Sequence, residues 1–564
     1  MVKPADYRPP ISPAEAIVEP TDPADERIDV GALIVGAGPA GLACAIRLGQ
    51  LLEESPALAE RLGEVPVAVL DKGAKPGAHL LSGAVVNPIS LRTLFAGRRT
   101  TADMPFFDRV QHESVYFLTK HRAYRIPAPP TMRNHGNYVA SLSQLGRWLA
   151  EEAEALGVTV LPETSAEKLL VSHGRVTGVR TGDRGRARDG EPLARFEPGS
   201  DIAAQVTVLA EGTQGYLTGA AIDRFGLRGR NPQVWALGVK EVWRVAKPLR
   251  KVIHTMGWPL RSRKRYREFG GSFIYPMGDD MVTLGMVVGL DYRDVSLSVH
   301  DLLQELKTHK RVRKILDGGE RIAWGAKTIP EGGFYSLPSK LHAPGLVLCG
   351  DGAGFVNVPA LKGIHYAVES GVLAAEAIVG ALRPGEAIGR AGALSGYDDA
   401  IRGSFVTKDL KAVRNMRQAF AKGFWMGSAR AGMMTMSGGR TPRKALPTEP
   451  DSEQELLRTD RAASFPAPDG KLTFDKLSSV FLSGNQTRDD APSHIRVARR
   501  VPREVAELWV NMCPAQVYEL GREDAGKVEV ALTPSNCVQC GAITAKGGRL
   551  LPAEGGAGPE YSLT

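Results

Sequence analysis

The sequence predicts an α/β fold organised around a Rossmann-type dinucleotide-binding unit, and two stretches near the N-terminus carry this prediction. In residues 30–47, an apolar strand pattern runs into the turn GAGPAG (36–41) and is followed by a helical pattern. In residues 65–70, a second apolar strand pattern ends in Asp71, at the place where such folds put an acid against an adenosine ribose. Together the two stretches predict a strand–turn–helix–strand unit in a parallel sheet.

Each glycine of this turn has its own physical role. Gly36 permits the tight turn, Gly38 lets the backbone approach a pyrophosphate, and Gly41 lets the helix pack close to the strand. The helix N-terminus then presents free N–H groups and a partial positive charge to that pyrophosphate. The acid usually follows about 20 residues later, and a polar insert at 53–64 accounts for the longer interval here. A membrane span or an ordinary buried turn is the alternative, although the glycines, the proline and a length below ~20 residues argue against a span.

Length and composition describe a large globular protein. The 564 residues suffice for two or three subdomains, and 43% hydrophobic with 24% charged residues is ordinary for a soluble chain. The formal net charge of +9 favours an anionic membrane surface or an acidic protein partner. Nucleic acid is disfavoured as a partner, because no basic stripe is interleaved with aromatic residues.

The cysteines and the N-terminus indicate a reducing compartment and no export. Five cysteines are too few for a disulfide framework in a chain of this length. Cys44 and Cys349 lie in apolar stretches, and we expect them to be core residues. Residues 1–28 are rich in proline and acids and match neither a signal peptide nor an Arg-rich transit peptide. The sequence predicts a disordered lead there.

Three further segments extend the prediction from a dinucleotide to FAD. Residues 77–84 (GAHLLSGA) are small and polar enough to run along a flavin ring, and a plain loop is the alternative. A strand pattern over 203–210 ends in the turn EGTQG, which in glutathione-reductase-like folds reaches the flavin from the opposite side. A third strand pattern at 345–350 runs into the turn DGAG (351–354), whose aspartate can bind a ribose or ribityl hydroxyl.

These segments define the candidate cofactor site. No second GxGxxG is present, so FAD rather than a nicotinamide nucleotide is predicted as the tightly held cofactor. The candidate FAD-binding residues are Gly36, Gly38, Gly41, Asp71, His79, Ser82, Gly83, Asp351, Gly352 and Gly354.

A β-rich layer is predicted between the cofactor segments. Residues 232–292 read mainly as strands, and we expect this layer to cover the flavin and to shape a second substrate pocket. Helical patterns occupy 139–157 and 298–316, and the polar run 182–198 reads as a surface loop.

Residues 419–444 have a different texture. Aromatic and methionine side chains alternate with small residues there and are flanked by lysines and arginines. This pattern suits a segment lying in the interface of a bilayer, and a methionine-rich core helix is the alternative. Residues 447–469, rich in Pro, Glu, Asp and Ser, read as a linker.

The remaining three cysteines cluster in the C-terminal tail. Cys513 is followed by a proline, and Cys537 and Cys540 form a CxxC motif that begins 24 positions later. Thiolates hold iron–sulfur clusters, often with a proline beside one ligand, so an iron–sulfur cluster is one interpretation. A zinc site needs four ligands, and no histidine follows His494. A redox dithiol at the CxxC motif is the other alternative.

Short motifs along almost the whole chain resemble one family. They occur in order as GAHLLSGA (77–84), NHGNYV (134–139), HTMGWPL (254–260), GGSFIY (270–275), VVGLDY (287–292), EGGFYSLP (331–338), GFVNVPALKG (354–363), KLSSVFLSG (476–484), CPAQVYE (513–519) and NCVQC (536–540). Together they resemble the electron-transfer flavoprotein–ubiquinone oxidoreductase family. The resemblance implies a monotopic membrane enzyme with FAD, a 4Fe–4S cluster and a quinone pocket. Such an enzyme takes electrons singly from reduced electron-transfer flavoprotein and delivers two to a quinone, here ubiquinone or menaquinone.

The resemblance also implies a domain division and further site residues. The expected parts are a disordered lead (1–28), a discontinuous glutathione-reductase-like FAD-binding domain (29–230 and 344–446), an inserted β-rich quinone-binding domain (231–343), a linker (447–469) and a small C-terminal ferredoxin-like iron–sulfur domain (470–564). Gly270 and Gly271 match backbone positions that touch quinone, and Cys513, Cys537 and Cys540 match metal ligands. The expected location is the cytoplasmic face of the plasma membrane, peripheral and without a transmembrane helix.

One position departs from the family pattern. The family has a CxxCxxC run, and its third position here is Ile543, which cannot ligate iron. Three alternatives follow: a 4Fe–4S cluster completed by water or a nearby oxygen, a 3Fe–4S cluster on the three cysteines, or loss of the cluster. Tyr518, five residues after Cys513, is either a hydrogen-bond donor to a cluster sulfur or a core residue.

The resemblance predicts no catalytic side chain of the protein's own, because the cofactors carry the chemistry. The rival enzyme is a geranylgeranyl-reductase-like flavoenzyme, which shares the flavin fold but reduces an isoprenoid double bond, and the cysteine motifs of the tail argue against it. A cluster-deficient electron carrier or membrane-docked adaptor is the rival from another class.

Overall fold

The strands and helices are those of a computed structural model, which describes residues 2–22, 26–382, 388–459 and 461–564. The strands in chain order are β1 (Ile17–Val18), β2 (Ile28–Val35), β3 (Val67–Leu70), β4 (Val85–Val86), β5 (Phe106–Arg109), β6 (Glu113–Leu118), β7 (Ala123–Ile126), β8 (Tyr138–Ala140), β9 (Thr159–Leu161), β10 (Ala166–Ser172), β11 (Arg175–Thr181), β12 (Arg184–Arg186), β13 (Pro192–Glu197), β14 (Asp201–Leu209), β15 (Trp235–Arg244), β16 (Val252–Gly257), β17 (Gly270–Met277), β18 (Met281–Gly289), β19 (Glu320–Pro330), β20 (His342–Ala343), β21 (Leu346–Leu348), β22 (Ile495–Arg496), β23 (Arg500–Pro502), β24 (Tyr518–Asp524), β25 (Lys527–Leu532) and β26 (Arg549–Leu550).

The α-helices alternate with these strands in the first half of the chain and gather after β21 in the second. In chain order they are α1 (Pro39–Glu54), α2 (Pro56–Leu62), α3 (Ile89–Leu94), α4 (Leu142–Glu154), α5 (Tyr216–Arg224), α6 (Val299–Thr308), α7 (Lys310–Leu316), α8 (Ile364–Ala381), α9 (Ser395–Gly403), α10 (Phe405–Ala412), α11 (Met416–Ala419), α12 (Phe424–Met436), α13 (Lys476–Phe481), α14 (Arg503–Met512) and α15 (Ala542–Ala545). Within the described ranges, none of them is long and apolar enough to span a bilayer.

The first sheet brings the ends of its parallel strands to one edge. Its parallel part runs β9-β3-β2-β14-β21, and Val35 of β2 lies opposite both Leu70 of β3 and Leu209 of β14. The segments that follow these strands therefore start side by side, as in other open parallel sheets that bind ligands at this edge. This arrangement confirms the predicted α/β class, and the hairpin β10–β11 and the short β1 extend the sheet on its other side.

The second sheet contains the predicted β-rich layer together with two strands, β6 and β7, from earlier in the chain. Its order is β19-β15-β18-β17-β16-β6-β7. The hairpin β6–β7 falls in the part of the chain assigned to the FAD-binding domain, yet β6 pairs in parallel with β16, with Val252 opposite Glu113 and Gly257 opposite Leu118. The two segments are more than a hundred residues apart in sequence, so no local pattern could indicate the pairing.

The predicted disordered lead is wrong for residues 2–22, which are ordered by contacts with distant segments. Ile17 of β1 pairs with Leu169 of β10, and the guanidinium of Arg549 donates to the carbonyl of Pro9. Proline-rich composition was misleading here because the partners that order the lead come from the first sheet and the C-terminal tail. Residues 23–25 lie outside the described part of the chain.

Two smaller expectations also needed correction. The helical pattern at 298–316 is two helices, α6 and α7, because the backbone of His309 is extended between them and its Nδ1 caps α7 by accepting from Arg311 N. The expected surface loop at 182–198 contains the hairpin β12–β13. Neither change affects the sheets that position the site.

A buried ionic network holds the second sheet to its helix. The Glu241 carboxylate accepts from the Lys307 ammonium at 2.8 Å and from the Trp243 indole at 2.7 Å, and Arg321 approaches it at 3.5 Å. Burial alone would raise the pKa of Glu241, but the charges of Lys307 and Arg321 hold it below its usual value. The stability contributed by this carboxylate is therefore present at neutral pH and is lost as the pH falls.

Replacing Glu241 with glutamine should lower the free energy of unfolding by about 3–5 kcal/mol, because the buried Lys307 ammonium loses its countercharge. Glu320→Gln is the matched control, since that carboxylate faces solvent and pairs only with exposed Arg244. Urea denaturation of both variants in the FAD-loaded state measures the difference. Equal stability of the two variants would contradict the assignment.

Candidate functional site

One continuous cavity joins the strand edge of the first sheet to an exposed helix. Its volume is about 1210 Å³. The wall begins at the glycine turn after β2, passes Gly270 and Gly271 of β17, and ends at Trp425 and Met436 of α12. Gln539, inside the CxxC motif, also lines it. The structure thus brings the predicted flavin, quinone and membrane segments to a single space.

The glycine turn has the close approaches that its sequence predicts. Gly36 has φ of +110°, and a Cβ there would lie 2.4 Å from the carbonyl oxygen of Ala210. A Cβ on Gly41 would lie 2.0 Å from the oxygen of Gly36, so Gly41 serves the packing of α1 and does not line the cavity. Gly38 does line it, and the nearest atom to a Cβ there is Leu80 Cδ2 at 3.7 Å. The space in front of Gly38 is open.

Asp71 lies beside this turn. Its carboxylate accepts hydrogen bonds from Ala37 N at 2.9 Å and from Gly73 N at 2.7 Å, and it lines the cavity. Burial raises the pKa of Asp71, while these two bonds and the Lys72 ammonium act in the opposite direction. The acid is thus oriented by the phosphate-binding turn itself.

The segment 77–84 lies against the second sheet. Its predicted site residues His79, Ser82 and Gly83 all line the cavity. A Cβ on Gly83 would lie 3.3 Å from the ring of Tyr275, so β17 leaves little space beside this glycine. The carbonyl oxygen of Ser82 accepts a hydrogen bond from Lys240 Nζ at 2.8 Å. A planar ring placed along this segment would be enclosed by both sheets.

The DGAG turn contributes one cavity residue. Asp351 lines the wall, and burial raises its pKa to about 6. Gly352 and Gly354 lie behind the wall, and a Cβ on Gly354 would meet Gln233 Nε2 at 2.8 Å. These two glycines therefore shape the turn that presents Asp351.

Gly270 and Gly271 form a side-chain-free stretch of the cavity wall. The pairing of β17 with β16 ends at Ser272 and Thr255, and the two glycines continue past it. A Cβ on Gly270 would lie 2.0 Å from the oxygen of Val287, and one on Gly271 would lie 2.6 Å from the oxygen of Thr255. Only glycine fits this stretch, where a ligand can approach the backbone closely.

A buried arginine, which the sequence did not indicate, fixes the wall beside these glycines. Arg417 pairs with Asp291 at 2.7 Å and with Glu331 at 2.8 Å, and its guanidinium lies 4.2 Å from the ring centre of Phe269. Burial opposes the charge, but the two carboxylates raise the pKa of Arg417. The ion triad ties α11 to the second sheet.

Helix α12 forms the mouth of the cavity. Phe424 and Trp425 pack on Phe117 of β6 with ring centres 5.7 and 5.4 Å apart. The outer side of the helix is apolar and exposed, with Met426 at 55% and Met433 at 57% of their full exposure. A core helix is therefore excluded for this face, and the interfacial interpretation of the sequence fits it better.

The three tail cysteines lie close to one another. Burial, followed by the nearby Cys513 thiol, raises the pKa of Cys540 to about 12. Burial, followed by the nearby Cys540 thiol, raises the pKa of Cys537. Among the described residues, no three His, Cys, Asp or Glu side chains are arranged to hold a single metal ion. An iron–sulfur cluster does not need three side chains around a single ion, because each of its irons is bound by a separate thiolate.

Strand β19 connects the cysteine loop to the cavity. Thr328 N donates to the carbonyl oxygen of Cys540 at 2.9 Å, and Lys327 Nζ donates to that of Gln539 at 3.3 Å. Burial and the nearby Lys72 lower the pKa of Lys327 to about 8, and Cys540 acts in the opposite direction. A cation therefore stands between the cysteine loop and the cavity.

Sequence reasoning missed three lysines in the cavity wall, Lys72, Lys240 and Lys327, of which Lys240 is fully buried. Burial is the cause that lowers the pKa of Lys240 to about 7. A lysine within an otherwise apolar strand, as in β15 and β19, was the available signal. A lysine in the wall of an otherwise apolar cavity suits an anionic ligand.

The fold and the cavity define a Rossmann-type flavoprotein. A solved structure of similar fold is a geranylgeranyl bacteriochlorophyll reductase-like protein from Thermoplasma acidophilum, with a TM-score of 0.53 and 16% identity over 75% of this chain and 94% of that chain. At this identity the likeness shows the fold alone.

Sequence comparison gives the family. Residues 235–329 match the model described as "ETF-QO, ubiquinone-binding", and residues 470–562 match "Electron transfer flavoprotein-ubiquinone oxidoreductase, 4Fe-4S". The mitochondrial electron transfer flavoprotein-ubiquinone oxidoreductase of Arabidopsis thaliana is 39% identical over 95% of this chain and 85% of its own length. That of Pseudomonas aeruginosa is 37% identical over 91% and 94%. The chain belongs to the electron transfer flavoprotein-ubiquinone oxidoreductase family, and its cofactors are FAD and an iron–sulfur cluster.

Proposed function

We propose that this protein oxidises reduced electron transfer flavoprotein and reduces a membrane quinone, ubiquinone or menaquinone. The observation that carries the proposal is the continuous cavity, which borders the flavin turn, the paired glycines, the exposed helix and the cysteine loop. The printed names of the relatives supply the donor and the acceptor. A geranylgeranyl-reductase-like activity is not favoured, because the tail matches the 4Fe-4S model.

The residues of the first sheet fit FAD. Bound FAD supplies two-electron acceptance and single-electron transfer, which no side chain can supply. Gly38 leaves the open space that a pyrophosphate needs at the start of α1. Asp71 and Asp351 line the cavity, where Asp71 would accept from the ribose hydroxyls and Asp351 would hold the ribityl end. Lys240, bound to the carbonyl of Ser82, would lie beside a flavin ring placed along this segment.

The cysteine loop fits the second cofactor. A bound iron–sulfur cluster supplies one-electron transfer, and Cys513, Cys537 and Cys540 are its ligands. Backbone N–H groups donate to two of the thiols, from Val517 N to Cys513 Sγ at 3.5 Å and from Gln539 N to Cys537 Sγ at 3.4 Å. Such bonds stabilise the thiolate form that binds iron.

The quinone enters from a bilayer through the mouth at α12. The apolar outer side of α12 lies in the membrane interface on the cytoplasmic face, and exposed Lys422 and Arg440 meet anionic headgroups. The head group of the quinone then passes Trp425 to reach the backbone at Gly270 and Gly271. The β-rich domain (231–343) thus forms the quinone side of the cavity and the FAD-binding domain its other side.

The direct test uses reduced electron transfer flavoprotein as donor and vesicles containing ubiquinone or menaquinone as acceptor. We expect quinone-dependent reoxidation of the donor by the FAD-loaded, cluster-loaded protein. Reduction of the flavin with no transfer to either quinone would contradict the proposal and favour the adaptor interpretation. Turnover of a prenyl double bond would favour the reductase interpretation.

A substitution at the mouth should separate the quinone route from flavin binding. Gly432 of α12 lines the cavity, and nothing lies within 4 Å of a Cβ there. Gly432→Trp should obstruct the mouth and raise the KM for quinone by about 10-fold, with the FAD content unchanged. Gly396→Trp on exposed α9 is the control, because its Cβ also meets nothing. An unchanged KM in Gly432→Trp would argue against entry at α12.

A further inference from the structure

The chain offers three thiols to the cluster and no fourth. It has five cysteines. Cys44 and Cys349 are fully buried in the core of the first sheet, where Cys349 Sγ lies 3.5 Å from the hydroxyl of Tyr397. Only Cys513, Cys537 and Cys540 are near one another in the tail.

Ile543 closes the position where a further ligand would stand. Ile543 is the second residue of α15. It directly follows Ala542, whose backbone approaches Cys540, and only 5% of Ile543 is exposed. Its side chain packs toward Gly548, where a Cβ would lie 2.5 Å from Ile543 Cγ1 and 2.8 Å from Val497. The position therefore offers an apolar, tightly packed side chain instead of a donor atom.

The nearby polar groups are poor substitutes for a thiolate. The hydroxyl of Thr544 already accepts a hydrogen bond from Leu550 N at 3.1 Å. Tyr518 is buried beside the three thiols, and its phenol is not a ligand of the kind that holds such clusters. Lys476 neighbours Cys513, and Lys72 neighbours Cys537, and neither side chain is a ligand of the kind that holds such clusters.

We propose that this protein holds a three-iron, 3Fe–4S cluster in place of the four-iron cluster for which its family domain is named. Cys513, Cys537 and Cys540 each bind one iron. The corner that the third position of a CxxCxxC run would hold is left without iron, because Ile543 is buried there and supplies no donor atom. The inference rests on the proposed function only in requiring that the tail binds an iron–sulfur cluster.

The test is the composition and EPR spectrum of the native, anaerobically purified holoprotein. We expect three irons and four sulfides per FAD, and an EPR signal in the oxidised protein that is lost on one-electron reduction. Four irons per FAD, with an EPR-silent oxidised state and a signal only after reduction, would overturn the three-iron assignment while leaving the proposed function intact. FAD-loaded protein without iron or sulfide would contradict the cluster in the proposed function itself.

A pair of variants adds a second readout. Ile543→Cys restores a thiol at the fourth position and should raise the iron content to four per FAD and abolish the EPR signal of the oxidised protein. Ile543→Val keeps the apolar contact with Val497 and should retain the three-iron spectrum. If the cysteine variant does not fold, the measurement on the native protein still decides the assignment. A folded Ile543→Cys protein whose EPR spectrum is the same as that of the native protein would count against the inference. A four-iron cluster in the native protein would also count against it.

Discussion

Gly38→Ala should give a protein that folds but purifies without the yellow colour of FAD. A Cβ at Gly38 meets no protein atom closer than 3.7 Å, so the fold itself does not require glycine there. The methyl group would occupy the space into which the pyrophosphate must come. We expect FAD affinity to fall by about 100-fold, or ~2.8 kcal/mol. Flavin absorbance measures the loss of FAD, and the thermal stability of the apoprotein measures whether the variant still folds.

Two other glycines provide the comparison that this prediction needs. Gly41→Ala should prevent folding, because its Cβ would lie 2.0 Å from the oxygen of Gly36. Gly380→Ala, near the end of α8, meets nothing within 4 Å and should retain FAD with equal or slightly higher stability. A Gly38→Ala protein with its full complement of FAD would show that the cofactor does not lie against this turn.

The double variant Met426→Asp/Met433→Asp should release the protein from vesicles. The two side chains are 55% and 57% exposed, lie two turns apart on α12, and are not part of the cavity wall. Burying a methionine side chain is worth about 1.5–3 kcal/mol, and aspartate adds a charge that anionic lipid repels. We expect vesicle binding to fall by about 100-fold, with FAD content and reduction of a water-soluble quinone analogue retained.

Helix α13 offers a matched control on the far side of the second sheet. Its Leu477 and Phe481 are 48% and 83% exposed, and Ser479 of the same helix is bound by Arg321 of β19, the strand at the opposite edge from β6 and β7. Leu477→Asp/Phe481→Asp should keep vesicle binding. Equal loss of binding in both double variants, or retention in the α12 variant, would contradict an interface centred on α12.

Local sequence by itself determined the cofactor end of the molecule. The glycine turn directly follows one parallel strand, and the acid directly follows the next, so their order along the chain already dictates that they meet at the sheet edge. Gly36, Gly38 and Asp71 accordingly stand in the cavity wall. The wall residues His79, Ser82 and Gly83 could be named because they belong to a family motif, and the structure places them on the same cavity.

Only the tertiary structure decided which charged groups share that cavity. Lys240 is buried because β15 is enclosed by β18 and β19, and Lys327 reaches the cysteine loop because β19 passes beside it. The lead became ordered, and β6 entered the second sheet, through partners more than a hundred residues away. Sequence patterns report the neighbours of a residue along the chain, whereas burial and charge pairing depend on neighbours in space, and that difference separates what was predicted from what was not.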